Sequence, residues 1–254
     1  MSVEVERVLP YAGDEDKGTQ VRRMFDTIAG RYDMLNHMLS FGMDRSWRRK
    51  TVDSLRPSSP QRILDVASGT GDLALLMCRR LQPQQIVAAD LSEEMMAVGR
   101  RKAAEAGYAS HVSFEHQDCM ALTYPDHSFD AITVAFGVRN FANLERGLSE
   151  MGRVLRPDGQ LRILELSTPE YFPMKQLYTL YSKTFIPLVG SWFSLEKSAY
   201  RYLPASIRKM PQGREMARLL EQQGFTNVRV RTFTGGVCSL YSATKHGHSN
   251  TIGK

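Results

Sequence analysis

The 254-residue chain predicts an α/β domain whose seven strands form a mostly parallel sheet covered by helices on both faces. Short apolar runs alternate with amphipathic stretches from residue 62 to residue 166. A glycine-bearing turn, Ser68-Gly69-Thr70-Gly71, joins the first of those runs to the first helical pattern. Two successive strand patterns around Gly235-Gly236 then read as a closing antiparallel hairpin. A composition of 42% hydrophobic and 24% charged residues is ordinary for a soluble globular domain.

In sequence order, residues 1–18 are polar and irregular and read as a flexible arm. A single domain follows over 19–244. Its first part, 19–57, predicts a helical cap: Thr19 is placed to cap a helix carrying Val21, Met24, Phe25 and Ile28 at three- and four-residue spacing. Gly30 and Gly42 punctuate the region, and Pro57 and Pro60 end it. Strand 62–66, helix 72–80, strand 85–90, helix 93–106, strands 111–117 and 129–136, and helix 144–155 come next. The Pro157-Asp158-Gly159 turn precedes a strand at 159–166. Residues 170–210 interrupt the alternation with a helical insertion carrying Tyr171, Phe172, Tyr178, Tyr181, Phe185, Trp192, Phe193, Tyr200 and Tyr202. Helix 212–223 and strands 225–234 and 237–244 complete the domain, and 245–254 is a polar tail.

Several classes are excluded at this level. The first seventeen residues have mixed charge and no apolar core, so no signal peptide is expected. No run of about eighteen apolar residues offers a membrane span. Cys78, Cys119 and Cys238 are odd in number and far apart, which predicts reduced thiols, a cytoplasmic setting and no metal site. The net charge of +6 admits either nucleic acid or an anionic membrane surface. The basic residues fall in short groups that read mainly as solvated helix faces.

The chemistry concentrates where strands end. The Gly69–Gly71 turn lacks the third glycine of a dinucleotide fingerprint, and Asp65 would set negative charge beside a pyrophosphate, so a cationic ligand suits it better. Asp90, followed by Leu91-Ser92, ends the second strand where a carboxylate can accept from two ribose hydroxyls; the alternative for an acid there is a cap of the next helix. Asp118, followed by Cys119, ends the third strand as an adenine contact or as a loop acid.

The acid-x-x-x-Gly-x-Gly form with a second acid further on resembles the first motif of class I S-adenosylmethionine-dependent methyltransferases. The resemblance implies S-adenosylmethionine as methyl donor. Asp65, Gly69, Thr70 and Gly71 would lie near its amino-acid end, Asp90 and Leu91 at the ribose, and Asp118 and Cys119 at the adenine. Three further stretches narrow this. Tyr32-Asp33-Met34-Leu35-Asn36-His37-Met38-Leu39-Ser40 followed by Trp47, then Phe136-Gly137-Val138-Arg139-Asn140, then Arg153–Gly159 leading to Leu164-Glu165-Leu166-Ser167, resemble the menaquinone/ubiquinone biosynthesis C-methyltransferases. The sequence departs from that pattern at Asp44, where many members have His, at Asp158, where Gly is usual, and at Ala135, where some have Ser.

That resemblance implies C-methylation of a prenylated quinol, with demethylmenaquinol the preferred acceptor because Gly42-Met43-Asp44-Arg45-Ser46-Trp47 looks more like menaquinone-making members. A ubiquinone-pathway benzoquinol, or activity on both, is the alternative; an RNA or other small-molecule methyltransferase is a more distant one. A ring carbon becomes nucleophilic once the adjacent hydroxyl ionises, so the site needs a base or a positive group. Arg139 is expected to stabilise the phenolate, and Tyr32 and Asn140 to orient the acceptor oxygen or a water. The aromatic insertion suits a prenyl tail. Basic groups nearby suit anionic headgroups, placing a cytoplasmic enzyme at the inner face of the membrane as a peripheral protein. No nucleic acid partner is expected, and a homodimer is left open.

Overall fold

The computed structural model describes residues 3–192 and 197–247. Three helices lead: α1 (Lys17–Ile28), α2 (Tyr32–Leu39) and α3 (Met43–Asp53). The alternation then runs β1 (Arg62–Val66), α4 (Asp72–Leu81), β2 (Gln85–Asp90), α5 (Glu93–Glu105), β3 (Val112–His116), β4 (Phe129–Ala135), α6 (Leu144–Val154) and β5 (Leu155–Leu166). The insertion contributes α7 (Met174–Trp192) and α8 (Lys197–Lys209) before α9 (Arg214–Gln222), β6 (Phe225–Phe233) and β7 (Cys238–Lys245).

The seven strands form one sheet in the order β3-β2-β1-β4-β5-β7-β6. Strands β1 to β5 are parallel, and β7 runs antiparallel to β5 and β6. Two-residue periodicity sorts the apolar side chains. Leu64, Val66, Val87, Ala89, Ile132 and Val134 pack with α6 and α9 through Leu148, Met151, Met216 and Leu220. Ile63, Ile86, Ala88 and Ala131 face α3, the turn after it and α4 through Val52, Leu55, Ala74 and Met77. Strands covered on both faces read as continuous apolar runs, which is why this part of the fold is legible in the sequence. The backbone winds outward from β1 to β3 and returns to β4, so the carboxyl ends of β1 and β4 flank the switch point where open α/β sheets bind ligands.

Four sequence expectations are corrected. Parts of the expected arm are packed down, with 12–16 exposed: Val5 is fully buried, Glu6 accepts from the Leu144 N–H at 2.9 Å, and Lys17 Nζ donates to the carbonyls of Val5 (2.7 Å) and Arg139 (2.9 Å). The cap of α1 is Asp16, which accepts from the Thr19 N–H, rather than Thr19 itself. Strand β5 begins before the Pro157-Asp158-Gly159 turn: Leu155 pairs with Phe129, and the register jumps to Gln160 opposite Ala131 across a bulge where Asp158 has φ 60°. In the tail, Lys245 belongs to β7 and donates to the Leu155 carbonyl at 2.7 Å, while 248–254 lie outside the described residues. Phe193 and the side chain of Trp192 also lie outside them.

The Phe114 ring wedges between α4 and α5. A Cβ on Gly99 would overlap the ring, and one on Gly71 would fall 2.8 Å from it. With contacts on both sides the ring cannot swing away, so Gly99→Ala is expected to cost about 1–3 kcal/mol. Thermal unfolding checks this, and a loss below ~0.5 kcal/mol would show that the ring yields.

Candidate active site

Two cavities meet at the switch point. The first, about 80 Å³, opens at the carboxyl ends of β1, β2 and β4 and is lined by Gly69, Asp90, Leu91, Asp118, Cys119 and Asn140 among others. Asp90 organises it: Oδ2 accepts from the Gly69 N–H at 2.7 Å and Oδ1 from the Ser92 N–H at 2.9 Å. Ionised carboxylates have about four acceptor positions, so two more hydrogen bonds can be taken. Burial pushes the Asp90 carboxyl above its ordinary range, against the backbone donors that hold it down. Asp118 accepts from the Met120 N–H at 2.9 Å, and burial raises the Cys119 thiol.

Asp65, Thr70 and Gly71 are not among the residues lining this pocket. The Thr70 hydroxyl donates to Asp33 at 2.5 Å, part of a cluster in which Lys102 pairs with Asp33 at 2.8 Å and with Asp72. Asp26 accepts from the Ser92 hydroxyl at 2.5 Å. These contacts tie the N-terminal helices to the glycine turn and to the start of α5. Asp65 is fully buried; Oδ1 accepts from Thr133 at 2.5 Å, and Oδ2 has no partner.

Burial raises the Asp65 carboxyl to about 7. Below about pH 4 it is protonated in both folded and unfolded states and contributes nothing. Between about pH 4 and 7 the unfolded state is ionised while the folded one stays protonated, so stability falls as pH rises, then levels above 7. Asp65→Asn, which resembles the protonated acid, is expected to remove that slope. It should stabilise the ligand-free protein at pH 8 by on the order of 1–4 kcal/mol. Parallel pH–stability curves for variant and wild type would contradict this.

The second cavity, about 230 Å³, is larger and mostly apolar. It lies under α7 and α8, with Leu39, Met43, Trp47, Phe136, Leu166, Met174, Tyr178, Tyr181 and Ile186 in its walls. Phe136 lines both cavities. Its φ of 60° is a strained value for a bulky residue, held by its N–H donating to the Leu164 carbonyl at 2.7 Å. The backbone can leave β4 this way because a Cβ at Gly137 would sit 2.6 Å from Ala67 Cβ; only glycine fits there.

Arg139 and Asn140 follow in a 3₁₀ turn (Val138–Asn140). Arg139 is buried and lines the second cavity, not the first. Its Nη1 donates to Glu165 at 2.6 Å and to the Phe136 carbonyl at 2.5 Å, and its backbone N–H donates to Glu165 at 3.3 Å. Burial is the largest influence and works against the guanidinium charge, but Glu165 together with Tyr32 and Tyr202 more than offsets it and holds the group protonated. Asn140 lines the first cavity and accepts from the Tyr202 hydroxyl of α8 at 3.1 Å. Tyr32 also lines the first cavity and, with Arg139 and Asn36, a third of about 60 Å³; burial raises its phenol. Arg139 and Asn140 therefore reach different chambers.

Sequence reasoning missed Glu165 as the partner of Arg139, although both stand in the stretches quoted above. It also missed the cluster at Asp44, which accepts from Ser40 at 2.7 Å, meets His37 Nδ1 at 2.9 Å and pairs with Arg48. Among the described residues, no group of three or more His, Cys, Asp or Glu side chains is placed to hold a metal ion.

The profile of the ubiE/COQ5 methyltransferase family matches residues 13–245. The chain belongs to that family. A demethylmenaquinone methyltransferase of Bacteroides fragilis is 52% identical over 245 residues, 96% of this chain and 100% of the relative. One of Porphyromonas gingivalis is 46% identical over 241 residues, 94% and 98% of the two proteins. A ubiquinone/menaquinone biosynthesis C-methyltransferase UbiE of Geobacter sulfurreducens is 44% identical over 231 residues, 91% and 90%. Among solved structures, a SAM-dependent methyltransferase of Thermotoga maritima superposes with TM-score 0.62 at 16% identity, covering 89% and 99%. The [4+2]-cyclase SpnF does so with TM-score 0.58 at 19% identity, covering 91% and 97%. A cyclase on the same scaffold shows that fold alone does not give activity; membership of the ubiE/COQ5 family rests on sequence.

Proposed function

We propose that this protein methylates a ring carbon of a prenylated quinol, converting demethylmenaquinol to menaquinol with S-adenosylmethionine as donor. The observation that carries the reading is the pairing of a chamber at the switch point that carries Asp90 and Asp118 with a larger, mostly apolar one, the two sharing Phe136. The residues of the first chamber suit the donor. Asp90 has acceptor capacity left for a ribose diol, and Asp118 can take an adenine amino group. Bound there, the donor supplies an electrophilic methyl group. The protein's own task is then positioning: Phe136 and Gly137 separate the two chambers, and the apolar walls exclude water from the acceptor ring. The names of the B. fragilis and P. gingivalis relatives favour the naphthoquinol over a benzoquinol. Label transferred from S-adenosylmethionine to reduced demethylmenaquinol, and not to its oxidised form, supports the reading; no transfer contradicts it.

The same reading puts the enzyme on a membrane surface. Among the described residues no helix is long and apolar enough to cross a membrane. Exposed apolar side chains nevertheless gather along the insertion: Phe172 is 81% exposed and Leu180 62%, beside Phe41, Tyr171 and Leu177. Exposed Lys175 and Lys183 stand on the same helix, suited to anionic headgroups. Phe41 and Leu177 also line the apolar cavity, so the patch continues into the acceptor chamber. Flotation with anionic vesicles is expected to recover the wild type and to fall at least about fivefold for Phe172→Asp/Leu180→Asp. Equal flotation of both, or of neither, would remove this surface.

A further inference from the structure

We propose that Lys17 is a positioning residue for methyl transfer, fixing the peptide between Arg139 and Asn140 through its hydrogen bond to the Arg139 carbonyl. This rests on the reading of the two chambers as donor and acceptor sites. The Val138–Asn140 turn sends its two polar side chains to different places: Arg139 lines the apolar chamber and Asn140 the donor chamber. The peptide plane between them is therefore a hinge common to both. Lys17 Nζ donates to the oxygen of that peptide at 2.9 Å and to the Val5 carbonyl at 2.7 Å.

A buried ammonium is an unfavourable fastener. Lys17 is 5% exposed, and burial pulls its ammonium down to about 8 against the charge of Glu6. Glu6 itself is spent on the Val3 and Leu144 N–H groups, at 3.1 and 2.9 Å. The N-terminal segment has other anchors, since Val5 belongs to the main core and Glu4 pairs with Lys209 of α8. A charged donor between two carbonyls adds what an apolar side chain cannot. It holds a peptide oxygen in one orientation.

The grip extends along the donor chamber. Gly18, Val21, Arg22 and Phe25 of the same helix line it, whereas Lys17 lines none of the three cavities. At the far end of α1, Asp26 accepts from the Ser92 hydroxyl, and the Ser92 N–H donates to Asp90. Helix α1 thus spans from the turn after β4 to the loop after β2 and is pinned at both ends. A displacement of about 1 Å, caused far from the chemistry, can cost about a hundredfold in rate because the reacting atoms lose alignment. The effect of Lys17 on the reaction passes through the turn it holds.

The test compares Lys17→Met with Val5→Ala in the full-length protein, well below both unfolding midpoints. Val5→Ala thins the packing of the same segment but leaves the bond between Lys17 and the Arg139 carbonyl, so it should lower Tm and keep kcat. Lys17→Met should lose about ten- to a hundredfold in kcat toward demethylmenaquinol, with the Kd for S-adenosylhomocysteine within about threefold of wild type. Lys17→Arg, which keeps the charge and the N–H donors, should recover most of that loss. Amide hydrogen exchange over residues 136–143 of the S-adenosylhomocysteine complex should be at least about tenfold faster in Lys17→Met. If Lys17→Met does not fold, Lys17→Gln replaces it; it keeps a donor on a shorter stem and should show the same losses in smaller measure. An unchanged kcat in a folded variant overturns the inference, as does a donor affinity that falls as far as kcat, while wild-type methyl transfer leaves the proposed function standing. A wild type that does not methylate demethylmenaquinol overturns the proposed function. Faster exchange in Lys17→Met would still support the hold on the turn, and unchanged exchange would overturn that as well.

Discussion

Replacing Glu165 by Ala is expected to destabilise the protein by about 3–5 kcal/mol, the range for breaking a buried ion pair from one side. Glu165 is 2% exposed and Arg139 7%, so the guanidinium left behind has no water to turn to. The carboxylate also accepts from the Leu166 and Arg139 N–H groups at 2.9 and 3.3 Å, and both would lose that partner. For a protein of this size each kcal/mol moves the midpoint by about 2–4 °C, so Tm should fall by roughly 10 °C. Glu165→Gln keeps acceptor and donor atoms but not the charge, and should lose less. Because Glu165 fixes the orientation of Arg139, the milder variant should still lose turnover with donor affinity intact. A Glu165→Ala midpoint within about 2 °C of wild type would show that the pair is not fully desolvated.

The second large effect is on the donor. Asp90→Ala is expected to weaken S-adenosylmethionine binding by at least about a hundredfold. Two hydrogen bonds from a ribose diol to a charged acceptor are worth about 1.5–3 kcal/mol each, and a hundredfold corresponds to about 2.7 kcal/mol. The variant also frees the Gly69 and Ser92 N–H groups that now converge on Asp90, loosening the glycine turn. Asp90→Asn retains one carbonyl oxygen and should fall between the two. Calorimetric titration separates these outcomes, and a Kd within about threefold of wild type for Asp90→Ala would remove Asp90 from the donor site.

What was legible in the sequence follows from the range of each interaction. Strand and helix alternation is a local signal, and β1, β2 and β4 show it strongly because both faces are buried. The acids at the ends of β2 and β3 were legible as well, since a loop after a parallel strand puts its first residues at the ligand face. The order in the N-terminal arm was not. Its polar composition hides a tertiary arrangement in which Lys17 and Glu6 satisfy groups more than a hundred residues away. The Pro157-Asp158-Gly159 signal was real as a turn but misleading as a boundary, because pairing with β4 starts at Leu155. The sequence offers Arg139 as a phenolate-stabilising cation but does not show its partner; the pairing with Glu165 exists only because β5 lies beside β4 and brings residues 26 apart together. Asp44 and His37 meet across the turn between α2 and α3, which spacing alone does not reveal.

The most direct test of the account is to give the full-length protein labelled S-adenosylmethionine with two reduced acceptors in separate reactions, demethylmenaquinol and a methoxy-polyprenyl-benzoquinol. The methylated atom is then located by mass spectrometry and NMR. The account predicts a new methyl on the ring carbon next to the hydroxyl of the naphthoquinol, faster than on the benzoquinol. Methylation on oxygen, or no transfer to either quinol despite tight donor binding, would contradict it.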